Sequence, residues 1–436
     1  MRPARRRFLA TLTALGAAAG VCGAPLVAGS LPQLLPRAVS RRVVVVGGGW
    51  GGLSAARHLR DLAPELDVVL LERHATFWSG ALSNKWLANL VDGRYLTHDY
   101  GAAAKAYGYT YIRAEVSEID RDRRRVIAAG GTLDYDWLVL AAGIRYDYGA
   151  WFGDDRRAAD HSLRNYPCAY GSGEEAAALK RKLGRFAGGD LVMTIPPMPY
   201  RCPPAPYERA TLIGWLIKSR RIKGKLIVLD PNPISPGFRR ALSERYTDQI
   251  AYVGDARVRS IDPFNRRITT EVDEFRFDDA ILMAPQQAGD VVWKAGLIGL
   301  DSDGKPTGWA DQDPVHLHAR ADERIFLIGD AMGPVSPLFG HYPKSGHMAN
   351  RQGRIVAQQI AARAREKEAP KLLPESVCYV VTDFDPMETM RIDMRYRVRG
   401  DGLIEQTVKQ VRDRNPRDED LQWAKSLFEE FLAFKG

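Results

Sequence analysis

The stretch Arg41-Arg42-Val43-Val44-Val45-Val46-Gly47-Gly48-Gly49-Trp50-Gly51-Gly52-Leu53 decides the fold. Its β-branched run predicts a short buried strand, the glycines a tight turn, and Leu53–Leu62 a helix. A second strand, Asp67–Leu71, completes a βαβ unit. Gly47, Gly49 and Gly52 stand in GxGxxG register, with Gly51 inside the same cluster. They provide a tight turn, close backbone approach to a pyrophosphate, and close packing of helix on strand. The N–H groups and positive dipole end of the following helix would face the phosphates. Glu72 stands twenty residues past Gly52, at the end of the second strand. A carboxylate there accepts hydrogen bonds from an adenosine ribose and disfavours a 2′-phosphate. Its neighbour Arg73 is counted in the same site.

The rest of the chain bounds what such a site serves. With 436 residues, two or three domains are expected. The 45% hydrophobic and 26% charged content is that of a globular protein. The net charge is +9, but residues 1–30 hold four arginines and no acids, so their removal leaves +5. The remaining charges are interleaved, without the clustered basic face that a nucleic-acid partner requires. Arg5-Arg6-Arg7-Phe8-Leu9, followed by a weakly apolar Ala/Gly/Leu/Thr run, reads as a twin-arginine signal over residues 1–30. The expected location is therefore the periplasm, with no transmembrane span elsewhere. Past Cys22, the chain keeps Cys168, Cys202 and Cys378 and has no CxxC or CxxCH, hence no haem attachment site of its own. Three thiols in an oxidising compartment imply one disulfide and one leftover, or a more reactive arrangement. His316 and His318 would share a strand face but lack further ligands, and no metal site is expected.

Tyr135–Ala142 reads as another buried strand, ending at Gly143. A second α/β region follows, with a helix Glu174–Phe186, strands Leu191–Ile195 and Lys225–Asp230, and a helix through Leu212–Lys218. Short apolar strands return at Ala280–Met283 and Ile325–Ile328. From about residue 365 the tail is polar and charged. It ends in a helical stretch, Asp418–Phe434, whose apolar stripe is expected to pack onto the body or a partner.

Arg324-Ile325-Phe326-Leu327-Ile328-Gly329-Asp330-Ala331 resembles the strand–Gly-Asp motif of flavoprotein disulfide reductases, whose aspartate binds the flavin's ribityl hydroxyls. The turn Ala141-Ala142-Gly143 is similar to a further mark of that superfamily. Together these imply FAD. A relative that used NAD(P)H would carry a second glycine-rich loop after Leu191–Ile195. This chain instead reads Pro196-Pro197-Met198-Pro199-Tyr200-Arg201-Cys202-Pro203-Pro204-Ala205-Pro206-Tyr207-Glu208. Prolines lack the N–H groups of a phosphate cradle, so nicotinamide binding is expected to be lost.

That loop, with Leu82-Ser83-Asn84, Pro285–Gly289, Gly329-Asp330-Ala331, Pro343-Lys344-Ser345-Gly346 and the segment around Cys378-Tyr379, resembles the flavoprotein subunit of flavocytochrome c sulfide dehydrogenase, a relative of sulfide:quinone oxidoreductases. The resemblance covers nearly the whole chain after the signal. It implies an α/β fold of two Rossmann-like domains plus a C-terminal interface domain. The expected division is FAD-binding residues 41–150 and 279–364, a second Rossmann-like domain 151–278 carrying Cys202, and residues 365–436 carrying Cys378. The resemblance implies a redox-active disulfide between Cys202 and Cys378 over the flavin, Glu208 as a candidate proton carrier, and Asn84 among the cofactor-binding residues. Lys344 and the following helix N-terminus are expected beside the flavin's pyrimidine edge. The small sulfur substrate is sulfide, and a separate c-type cytochrome subunit accepts the electrons. A structural disulfide is the plainer reading of the same cysteines. A sulfide:quinone oxidoreductase and a non-catalytic flavoprotein are the competing functions.

Two departures qualify the resemblance. The family usually tethers FAD through a cysteine four residues before the asparagine of Leu-Ser-Asn; Gly80 stands there, so non-covalent FAD is expected. The segment Pro334–Tyr342 also looks longer than the family pattern. Cys168 lies near a region where the quinone reductases carry an additional cysteine, with a buried inert thiol as the alternative.

Overall fold

A computed structural model describes residues 31–434; the twin-arginine segment and Cys22 lie outside the described residues. The valine run forms β1 (Arg42–Val46), buried along its whole length. The helix α1 (Trp50–Leu62) starts inside the glycine cluster rather than at Leu53. A Cβ at Gly52 would overlap the Gly47 carbonyl oxygen, so only glycine lets this turn of helix approach the strand end. Next come β2 (Asp67–Glu72), β3 (Thr110–Arg113) and β4 (Trp137–Leu140), the last shorter than the Tyr135–Ala142 run suggests.

Beyond residue 150 stand α2 (Gly173–Arg185), β5 (Gly188–Thr194), α3 (Ala205–Ser219), β6 (Lys223–Leu229), β7 (Ile250–Val253) and β8 (Asp279–Ile281). The chain then returns through β9 (Asp322–Leu327) and α4 (Gly346–Ala364). Two parallel sheets result. The first runs β9-β4-β1-β2-β3, with the two-residue strand His318–Ala319 antiparallel at its edge; the second runs β7-β6-β5-β8. Where the chain leaves the first domain and where it returns, Ile144–Tyr146 and Gln286–Ala288 pair antiparallel, so one ribbon joins the two.

The polar tail is not merely a helix with a lead-in. It holds an antiparallel meander, β10 (Ser376–Phe384), β11 (Met387–Val398) and β12 (Ile404–Asp413). Sequence patterning hides the last of these strands because β12 is exposed over Thr407–Arg412 and shows no buried face there. Val380, Val381, Phe384, Met390 and Ile392 join the core of the second domain. The last helix, α5 (Glu419–Phe431), buries Ala424, Leu427, Phe428 and Phe431 against the first domain, where Phe428 and Phe431 touch Trp50. The tail thus straddles both domains. Among the described residues, no helix is long and apolar enough to cross a membrane.

Candidate active site

A cleft of about 910 Å³ runs between the strand ends of the first sheet, the loop before α3, and β10. At one end lie Gly47, Gly49 and Gly51 at the start of α1. A Cβ at Gly49 would meet nothing within 4 Å, which leaves open space against the helix N-terminus. Glu72 closes this end, its carboxylate accepting N–H bonds from Gly48 at 2.7 Å and His74 at 2.8 Å. Arg73 lines the same end but is largely exposed, beside Glu115. Ala142 and Gly143 form the roof, with Gly143 in the left-handed region at φ +64°.

At the far end, Asp330 is buried, and its Oδ1 has no hydrogen-bond partner among the described residues. Its Oδ2 pairs with Arg201 Nε at 2.6 Å. Gly329, at φ +75°, donates its N–H to Gln352 Oε1 at 2.7 Å. An anion-ready helix start, an acid at the second strand end and a buried carboxylate oxygen without a partner are the features a dinucleotide needs. The residues therefore fit FAD: Gly47–Gly52 could receive its pyrophosphate, Glu72 its ribose, and Asp330 its ribityl hydroxyls. Gly80 lines the cleft with open space where a Cβ would point, and it offers no side chain for a tether.

The two cysteines reach this cleft from distant parts of the chain. Cys202 sits in the left-handed region at φ +50°, and its N–H donates to the Lys344 carbonyl at 2.7 Å. Cys378 lies on β10 opposite Ile392. Both thiols are free, so the expected disulfide is not present as a bond; the structure carries the dithiol form. Burial and the facing Glu208 carboxylate push the Cys202 thiol up to about 12. Burial, then Cys202 and Glu208, push Cys378 well above its usual range. Glu208, half-buried in the first turn of α3, is itself raised, chiefly by burial. Its Oε1 accepts the Val381 N–H at 2.8 Å and its Oε2 the Asn84 Nδ2–H at 2.7 Å.

Lys344 and Asn84 both line the cleft and are engaged by protein groups there. The Lys344 ammonium is held where the strand that leads to Asp330 ends. Nζ donates to the carbonyls of Asp330 and Met332, both at 2.8 Å, and lies 3.6 Å from the Trp309 ring centroid. The carbonyls at the strand end compete for it, and burial lowers its pKa to about 7. Asn84 is turned toward Glu208 and Arg209, with both ends of its amide engaged there.

Cys168 lies beside the cleft, 1% exposed, with its sulfur 3.2 Å from the Tyr146 hydroxyl and 3.3 Å from Glu175. Burial pushes this thiol well up, as an inert cysteine requires. His316 bonds Asp313 from a turn rather than from a shared strand, and Leu317 at φ +61° brings its ring beside that of His318. His347, not foreseen, accepts the Val377 N–H at 2.7 Å and ties the first turn of α4 to the strand of Cys378. Burial lowers its pKa to about 4, so it is neutral.

Residues 176–284 match the family model for the central region of the flavoprotein chain of sulfide dehydrogenase (flavocytochrome c), and residues 41–153 the pyridine nucleotide-disulphide oxidoreductase model. A sulfide-quinone reductase of Aquifex aeolicus is 22% identical over 374 residues, covering 79% of this chain and 82% of the relative. A type II NADH:quinone oxidoreductase of Staphylococcus haemolyticus is 29% identical over 105 residues, only 24% of this chain and 26% of its own length. The solved sulfide:quinone oxidoreductase of Aquifex aeolicus superposes with a TM-score of 0.71 at 19% identity, over 91% of this chain and 93% of that one. A NAD-dependent persulfide reductase from A. fulgidus gives 0.61 at 18% identity, over 85% of this chain and 70% of that one.

Proposed function

We infer the function from one premise: this chain has the build of an FAD-dependent disulfide oxidoreductase and is related to the flavoprotein chain of sulfide dehydrogenase. On our reading it oxidises sulfide, or a related reduced sulfur compound, to persulfide-level sulfur. It works in the periplasm with non-covalent FAD and passes electrons to a separate c-type cytochrome. The observation that carries this reading is the convergence of Cys202, Cys378 and Glu208, from two domains, on the flavin-sized cleft.

In the oxidised pair, hydrosulfide attacks Cys202 Sγ. A persulfide S–S bond forms on Cys202, the Cys202–Cys378 bond breaks, and Cys378 leaves as a thiolate carrying the bonding electron pair. Glu208 takes the proton of the attacking sulfur. FAD, when bound, would supply the two-electron acceptor that can pass electrons singly to a one-electron partner. Burial and the facing carboxylate raise the Cys378 thiol, which makes its thiolate a strong electron donor although it slows its departure from sulfur. Gly329 and Asp330 would hold the cofactor, while the hydrogen bond from Cys202 N–H to the Lys344 carbonyl fastens the cysteine loop beside them. The Asp330–Arg201 pair ties the cysteine loop to the strand end that holds the ribityl chain.

The test is steady-state turnover with sulfide, offering a soluble c-type cytochrome or a quinone analogue as acceptor. Reduction of the cytochrome is expected. Turnover with the quinone alone would place the chain with the quinone reductases instead.

A further inference from the structure

Among the described residues Arg209 is the largest fully buried side chain, 1% exposed, and no carboxylate among them forms an ion pair with it. A buried guanidinium without a counter-ion is costly, so its remaining partners must compensate. Nη1 donates to the Cys168 carbonyl, the Tyr170 ring lies 5.6 Å away, and Nε donates to Asn84 Oδ1 at 3.2 Å. That last bond fixes which way the Asn84 amide faces. With Oδ1 toward the guanidinium, Nδ2 points to Glu208 Oε2 at 2.7 Å. The Val381 N–H supplies the other oxygen. Glu208 therefore receives one N–H on each oxygen, and one of the two donors is polarised by a buried positive charge.

We propose that Arg209 and Asn84 are positioning residues that hold Glu208 in its ionised, proton-accepting form beside Cys202 and Cys378. This deepens the sulfide-oxidation reading and rests on it for the identity of the proton donor. As hydrosulfide adds to Cys202, its proton passes to Glu208, the new S–S bond replaces the Cys202–Cys378 bond, and the electron pair stays on Cys378. Several other groups face Glu208. Burial, together with Asp420 from α5, raises it, while Lys85 from the helix Ser83–Leu87 lowers it. Lys85 and Asp420 pair at 2.7 Å and so largely cancel. Cys202 and Cys378 are protonated in the dithiol form. The Asn84–Arg209 arm is thus the side-chain contact that decides the balance against burial. Cys168 acquires a part in the same arm: its carbonyl anchors the guanidinium, while Glu175 holds its N–H at 2.9 Å.

The test uses the holoenzyme, reduced and free of sulfide, and follows the infrared carboxyl band of Glu208, assigned by its loss in Glu208→Gln, against pH. Asn84→Leu removes the donating amide, and Arg209→Met removes the charge. Both should raise the Glu208 titration by about one pH unit. The acidic limb of kcat/KM should move up by the same amount. The isosteric Asn84→Asp keeps the packing and should shift it further, since an acceptor replaces the donor. Arg209→Lys, which retains the charge, should restore part of the shift. An unchanged titration in Asn84→Leu and Asn84→Asp would overturn the proposal, the more so if the flavin dissociates, because Asn84 would then serve the cofactor. A shifted titration in a protein that does not oxidise sulfide would instead sustain the arm and reject the substrate.

Discussion

At the end of β1 the chain turns through Gly47–Gly52, while at the end of β5 it turns through a loop holding Pro196, Pro197, Pro199, Pro203 and Pro204. The two turns occupy the same point of the same scaffold, a parallel strand feeding a helix. The acids that follow have opposite fates. Glu72 faces the cleft with lone pairs to spare. Asp230, just past the end of β6, is fully buried and capped by the hydroxyls of Tyr207 at 2.6 Å and Tyr252 at 2.8 Å. Tyr207 stacks on Phe238 in the space beside it. The first domain thus keeps a nucleotide site. The second has filled its counterpart with aromatic rings and uses the freed loop to present Cys202. The comparison teaches that the topological crossover fixes where chemistry sits, while the loop's residue types choose the chemistry.

The sharpest way to break this comparison is to disable the second loop alone. Cys202→Ser or Cys378→Ser should cut sulfide turnover by about 10³-fold or more, with flavin content and melting temperature near native. A parallel loss of stability would mark the pair as a structural staple. Disabling the first turn should do the reverse: Gly52→Ala forces a Cβ onto the Gly47 carbonyl, and flavin affinity should fall by about 10²-fold or more, read by absorbance after gel filtration.

Glu208→Gln should lower kcat/KM by about 10²-fold and abolish its acidic limb. Burial raises the Glu208 pKa, so the native limb should lie above the usual glutamate range, with activity lost as pH falls through it. Tyr207→Phe should cost about 1–2 kcal/mol in denaturant unfolding, because Asp230 loses a buried donor, and should leave flavin and turnover unchanged. The smallest effect is expected from NADH, which should not bleach the flavin because its site in the second domain is filled. Rapid bleaching by NADH would show that Tyr207 and Tyr252 do not close that site.

The parts legible in the sequence were those set by local backbone geometry. Gly47–Gly52, Glu72 and Gly329-Asp330 announce themselves because a turn, a strand end and a close approach each constrain a few adjacent residues. That Cys202 and Cys378 reach one cleft was suggested only by family resemblance, since nothing in their spacing encodes it. The Asn84–Arg209–Glu208 arm was not legible: Asn84 meets Glu208 across 124 residues of chain and Val381 meets it across 173. The partners of Lys344, the carbonyls of Asp330 and Met332, were not legible because they meet it only once β9 and α4 are packed. The last strand of the meander, β12, escaped because Thr407–Arg412 are all exposed and carry no alternation to read.

The most direct test is an anaerobic sulfide titration of the purified holoenzyme, following the visible flavin absorbance. The account predicts stoichiometric bleaching with a long-wavelength thiolate-to-flavin band, absent in Cys378→Ser. An oxidised spectrum unchanged at excess sulfide would contradict it.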